Sequence, residues 1–131
     1  MPTVQGINRT VLLDAQTAAG TVSQPFNART MTAPALYIKG AGTISTGTLI
    51  IEEADWAPDA MPYSGTWSTI YFTIPPATSA VSSIDLTALT GGAQQSLKFT
   101  GPNAFGYVRV RIGTAVTGSN GSVTVTLVDT V

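Results

Sequence analysis

The sequence predicts an all-β fold: an antiparallel β-sandwich, jelly-roll-like, of about eight strands. Three observations carry that prediction. Short β-branched and aromatic runs recur at spacings near ten residues, with Gly, Pro and Asn signals between them. No stretch sustains helical periodicity for two turns. The last quarter of the chain, finally, shows two runs of strict period-two alternation. In Tyr107-Val108-Arg109-Val110-Arg111-Ile112, the residues Val108, Val110 and Ile112 fall on one face and Tyr107, Arg109 and Arg111 on the other. Ser122-Val123-Thr124-Val125-Thr126-Leu127-Val128 repeats the pattern after a turn rich in Gly, Ser and Asn. The two runs read as a closing antiparallel hairpin, with Val108, Val110, Ile112, Val123, Val125 and Leu127 in the core.

Taken in order, residues 1–7 read as an arm or an edge, part of an extended N-terminal arm over about residues 1–20. Residues 10–13 are an apolar first strand and 15–20 a small, polar loop. Residues 21–32 alternate weakly, with Val22 and Phe26 the side chains expected to reach a core. Ala35-Leu36-Tyr37-Ile38-Lys39 is a strand, ended by a turn at Gly40-Ala41-Gly42. Residues 43–53 form a long β-branched strand that Gly47 bends. Its continuous Leu49-Ile50-Ile51 suits a central strand covered on both faces. Residues 55–65, with Pro58 and Pro62, form a loop of a length usually tied to function.

Residues 66–74 then set Trp67, Thr69, Tyr71 and Thr73 against Ser68, Ile70, Phe72 and Ile74 before Pro75-Pro76 stops them. A Trp in such a strand is expected in the core. A short strand surrounds Ile84-Asp85-Leu86. Residues 95–100 are another, with Leu97 and Phe99 on one face, and Gly101-Pro102-Asn103 turns into the final pair.

The 131 residues are enough for one domain with one core. Charged residues make up only 10%, against roughly 25% in ordinary soluble domains. A surface so poor in charge fits a chain that packs against neighbours. Net charge of −1 leaves no electrostatic footprint for nucleic acid. No run approaches the roughly 20 apolar residues of a membrane span, and the N-terminus has no signal-peptide pattern. Manufacture in a cytoplasm is expected, with no membrane and no nucleic acid as partner. Two Asn-x-Ser/Thr triplets, at Asn8 and Asn120, read as chance in that setting.

Catalytic means are few. Histidine and cysteine are both absent, which removes the commonest base, disulfides and thiolate metal sites. Ser96 and Lys98 share a strand face but stand too far apart for a dyad, and Gly40-Ala41-Gly42 lacks the rest of a nucleotide fingerprint. No catalytic, metal or cofactor site is expected, and the chain is not expected to be an enzyme. Glu52, Glu53, Asp55 and Asp59 gather four of the seven acids. Glu52 and Glu53 point to opposite faces, and the set lacks calcium-loop spacing. It reads as an acidic contact loop. Within it, Trp56 between Asp55 and Asp59 is a candidate interface anchor, joined by Tyr63. Arg109 and Arg111, beside Tyr107 on one strand face, form a second candidate contact, because the guanidinium fork suits a partner's carboxylate.

Four pieces carry a family resemblance: Gly-Thr-led GTISTGTLIIEE (42–53), YSGTW (63–67), YVRVRI (107–112) and GSNGSVTVTL (118–127). In this order they resemble small β-sandwich virion proteins of tailed bacteriophages, over residues 36–128. The loop before Trp67 departs from the pattern, being long and acidic where many relatives have a short Asp-Gly turn. The resemblance implies a virion structural protein without catalysis: a capsid decoration, or cement, protein or a head or tail accessory piece. The expected partners are the major capsid protein or another virion protein, and further copies of the chain in a homo-oligomer. The alternative is a carbohydrate- or receptor-binding module of a tail appendage, using Trp56 and Tyr63.

Overall fold

In the computed structural model, residues 7–54, 66–73, 79–98 and 106–130 are described. They form two antiparallel sheets packed face to face. Nine strands are present among them: β1 (Ile7–Gln16), β2 (Phe26–Asn27), β3 (Ala35–Ala41), β4 (Thr48–Ala54), β5 (Ser68–Thr69), β6 (Ile84–Asp85), β7 (Gln94–Lys98), β8 (Tyr107–Ile112) and β9 (Ser122–Thr130). Two short 3₁₀ turns follow β2 and β6. One sheet has the order β1-β9-β3-β7. The other runs β2-β8-β4-β5, with β6 also on β4.

Alternation places the core. Leu36 and Ile38 of β3, Val123, Val125 and Leu127 of β9, and Leu13 of β1 face inward from the four-stranded sheet. Leu49 and Ile51 of β4, with Val108, Val110 and Ile112 of β8, meet them from the five-stranded one. All six residues expected in the core from the last two runs are at most 3% exposed.

The two runs are not a hairpin. β8 pairs with β4 and β2, whereas β9 pairs with β1 and β3. Alternation states which face of a strand is apolar and leaves its neighbour open. Two strands facing one core from opposite sheets satisfy it as well as two in one sheet. The segment between them crosses the edge of the sandwich beside a second crossing, from β3 to β4. The two crossings hydrogen-bond to each other: Thr43 N donates to Ser119 O at 3.0 Å, Ser45 N to Thr117 O at 2.7 Å and Thr48 N to Thr114 O at 3.2 Å. Gly118 makes this fit possible. Its φ is +128°, and a Cβ there would overlap the Thr43 carbonyl.

Other elements differ in extent. β3 continues through Gly40 and Ala41, where a turn is expected, because the register with β9 holds to Ser122. β4 starts only after Gly47, since residues 43–46 are pairing with the crossing. Ile50 is half-buried, so the outer face of β4 is less covered there than the inner face is at Leu49 and Ile51. Phe26 reaches the core, but Val22 is 45% exposed. Val22 bridges outward-facing Arg111 and therefore shares its outer side. Of the expected N-terminal arm, residues 7–16 form β1 on the edge of the four-stranded sheet.

Candidate functional site

The outer face of the five-stranded sheet carries the charged residues that the sequence singles out. Inward Leu49 and Ile51 set the phase of β4, so Glu52 points outward. The register sets Glu52 directly opposite Arg109 on β8. Arg111 is two residues further along the same face. The carboxylate joins all three: Arg109 Nε donates to Glu52 Oε1 at 2.9 Å and Arg111 Nε to the same oxygen at 3.2 Å. Glu52 is 7% exposed, the one buried charged residue among those described. Its shared oxygen offsets two cations that would otherwise repel on adjacent same-face positions.

Trp67 completes the group. The Arg109 guanidinium carbon lies 4.3 Å from its ring centroid, within cation–π range. The expectation that Trp67 is a core residue is thus corrected. Ile70 is buried and Phe72 packs on the core, so the alternate set, Trp67 and Thr69, faces outward, with Thr69 opposite Glu52. Tyr71, 69% exposed, extends the aromatic surface beyond β5.

The group is a positioned cationic patch. One carboxylate and two guanidinium groups sum to one positive charge. Nε of each arginine is used internally, and the Nη groups make no hydrogen bond to a described residue. The arginine side chains keep 23% and 31% of their surface exposed, which suits them to a carboxylate brought by another molecule.

Of the predicted contact residues, Arg109 and Arg111 come together here. Tyr107, on the same side of β8, does not join them at the surface: it is 3% exposed. Asp55, Trp56, Asp59 and Tyr63 lie outside the described residues, as does the calcium question attached to that acidic loop. The acid that does meet the arginines, Glu52, comes from the same chain. From the sequence alone that role falls to a neighbour's acids, because the β4–β8 pairing is invisible in the alternation of either strand.

A second polar surface lies on the opposite sheet. Arg9, Tyr37, Lys39, Gln94, Thr124 and Thr126 line a cavity of about 420 Å³ on its outer face. No helix among the described residues is long and apolar enough to cross a membrane.

No protein-family model matches the chain, and no curated protein matches it. Among solved structures, the crystal structure of the SPBc2 prophage-derived protein YomS is similar. The likeness covers 100% of this chain and 98% of that one, with a TM-score of 0.59 and 15% sequence identity. At that identity, what the two share is the fold.

Proposed function

We propose that this chain is a bacteriophage virion structural protein, and specifically a capsid decoration protein that docks on the assembled head lattice and stabilises it. The observation that carries the reading is the fold shared end to end with a prophage-derived protein. The Arg109–Glu52–Arg111 patch with Trp67 supplies a docking surface of suitable chemistry. It is held rigid on two central strands, so little side-chain entropy is lost when a partner's carboxylate meets it. The low charged content acts in the same direction, because few ions lose their water when such a surface is buried.

Docking also accounts for a chain without histidine or cysteine: the role needs no turnover. The partner is a virion protein, the major capsid protein first, and several copies of the chain assemble together around it. Trp56, between Asp55 and Asp59 in the sequence, adds a second anchor in this reading. Cryo-electron microscopy of purified particles of the encoding phage tests it. Density for the sandwich on the outside of the head lattice is expected. Particles that lack the protein altogether would refute a virion role, and density confined to the tail would refute decoration of the head.

A further inference from the structure

The outer face of the four-stranded sheet is built differently from the arginine patch. Register orders its side chains in rows across the strands. One row holds Arg9, Val128, Ala35 and Lys98; the next Val11, Thr126, Tyr37 and Ser96; the third Thr124, Lys39 and Gln94. Three of the chain's six basic residues therefore stand on this one face. The cavity occupies its middle, and no described acid lines it. Arg9 and Lys39 bracket the cavity diagonally, two strands and four residues apart, or about 10 Å across the sheet and about 13 Å along it. Between them lie the phenol ring of Tyr37 and two threonine hydroxyls, with the amide of Gln94 on the far side of Lys39.

We propose that this cavity binds an acidic saccharide: a short stretch of glycan bearing carboxylates. Each part of the lining meets a part of such a ligand. Thr124, Thr126 and Gln94 offer donors and acceptors together, as a ring of hydroxyls requires. Tyr37 offers an aromatic face to the C–H side of a pyranose and a hydroxyl at its tip. Arg9 and Lys39 offer cations placed far apart, as the carboxylates of acidic sugars two or more residues apart along a glycan are. Protein partners fit the surface less well, since Val11 and Tyr37 are its main apolar side chains and a docking core is usually larger and drier. A single small anion would use one cation and leave most of the lining idle.

The proposal does not depend on capsid docking, which uses the other side of the sandwich. Failure of either leaves the other standing. The test is calorimetric titration of the full chain, at fixed ionic strength, with a hyaluronan tetrasaccharide and with trigalacturonate. Maltotetraose, inorganic phosphate and a hexaglutamate peptide serve as comparisons. Saturable binding of at least one acidic saccharide is expected, at least tenfold tighter than any comparison. Lys39→Ala and Arg9→Ala should each weaken it about tenfold, the scale of one charge-assisted hydrogen bond. Lys39→Arg should hold it within about threefold. Both side chains are exposed, so melting temperatures should not move. Absence of binding by both acidic saccharides would overturn the proposal. So would equal binding of maltotetraose, phosphate or hexaglutamate, or an affinity indifferent to Lys39→Ala and Arg9→Ala.

Discussion

Glu52 is the residue on which the outer face of the five-stranded sheet depends. Its carboxylate is buried and accepts from both arginines, which themselves keep 23% and 31% of their side chains exposed. Replacing it by Gln leaves the shape but removes the charge that holds two guanidinium groups on neighbouring positions. Breaking a fully buried pair costs roughly 3–5 kcal/mol. Solvent at the arginines screens part of that, so Glu52→Gln should cost about 1–2 kcal/mol. Urea denaturation measures it, and a cycle with Arg111→Gln should show coupling of order 1 kcal/mol. The converse matters for any docking experiment. Removing both arginines strands the buried Glu52 carboxylate, so that double variant tests the fold as much as the contact.

Asp85 shows a smaller effect with a defined pH window. Its carboxylate accepts from the Thr87 backbone N–H at 3.0 Å and from the Thr87 hydroxyl at 2.8 Å, capping the 3₁₀ turn at 86–89. Those two bonds, the backbone one foremost, hold its carboxyl below the usual carboxylate value. A pKa lowered by folding contributes stability above the unfolded-state value and loses it as pH falls through the folded-state value. Asn caps a turn about as well as Asp but carries no charge. Native protein should therefore be more stable than Asp85→Asn at pH 7, and the difference should close at about pH 2. Denaturation curves at the two pH values decide it, and an equal difference at both would contradict the cap assignment.

At the scale of strands, which face of each run is buried was legible in the chain, and which strands are neighbours was not. Val108, Val110, Ile112, Val123, Val125 and Leu127 lie inside as their alternation requires. The segment after Ile112 reads as a hairpin turn because Gly, Ser and Asn fill crossings and turns alike. What distinguishes it is the run of bonds to residues 43–48, far away in sequence. The same gap hid the arginine site: the two arginines are visible as a pair, and their acid is visible only with the β4–β8 register. Trp67 is the opposite case. Its alternation with Ile70 and Phe72 already placed it outside, and the general preference of Trp for cores misled.

The chain's lack of cysteine gives a direct test of the pairing. Lys39 and Thr124 are directly opposed on β3 and β9. The variant Lys39→Cys with Thr124→Cys should form an intramolecular disulfide under mild oxidation, because opposed strand positions satisfy the required Cα spacing. Arg111→Cys with Thr124→Cys, the pairing a β8–β9 hairpin would bring together, should stay reduced. Efficient closure of the second pair would contradict the assignment of β8 and β9 to different sheets.

For the whole molecule, the two outer faces differ in chemistry. One carries arginines tied to a buried acid and an indole. The other carries cations around a hydroxyl-lined cavity. In the proposed role, one side of the sandwich would lie against the shell and the other toward the medium. Decoration also has a thermodynamic consequence. A protein that binds only the assembled shell stabilises it by mass action, so moderate affinity per site, repeated over many copies, reinforces the particle.

Adding the purified protein to undecorated capsids of the encoding phage, with bound copies and the temperature of capsid disruption followed together, tests this most directly. Saturable binding at a fixed number of sites per lattice unit is expected, with capsid disruption moved to higher temperature as those sites fill. Trp56→Ala should weaken the binding while leaving the protein folded. Capsids that bind no protein at saturating concentration, or that bind it and come apart at an unchanged temperature, would contradict it.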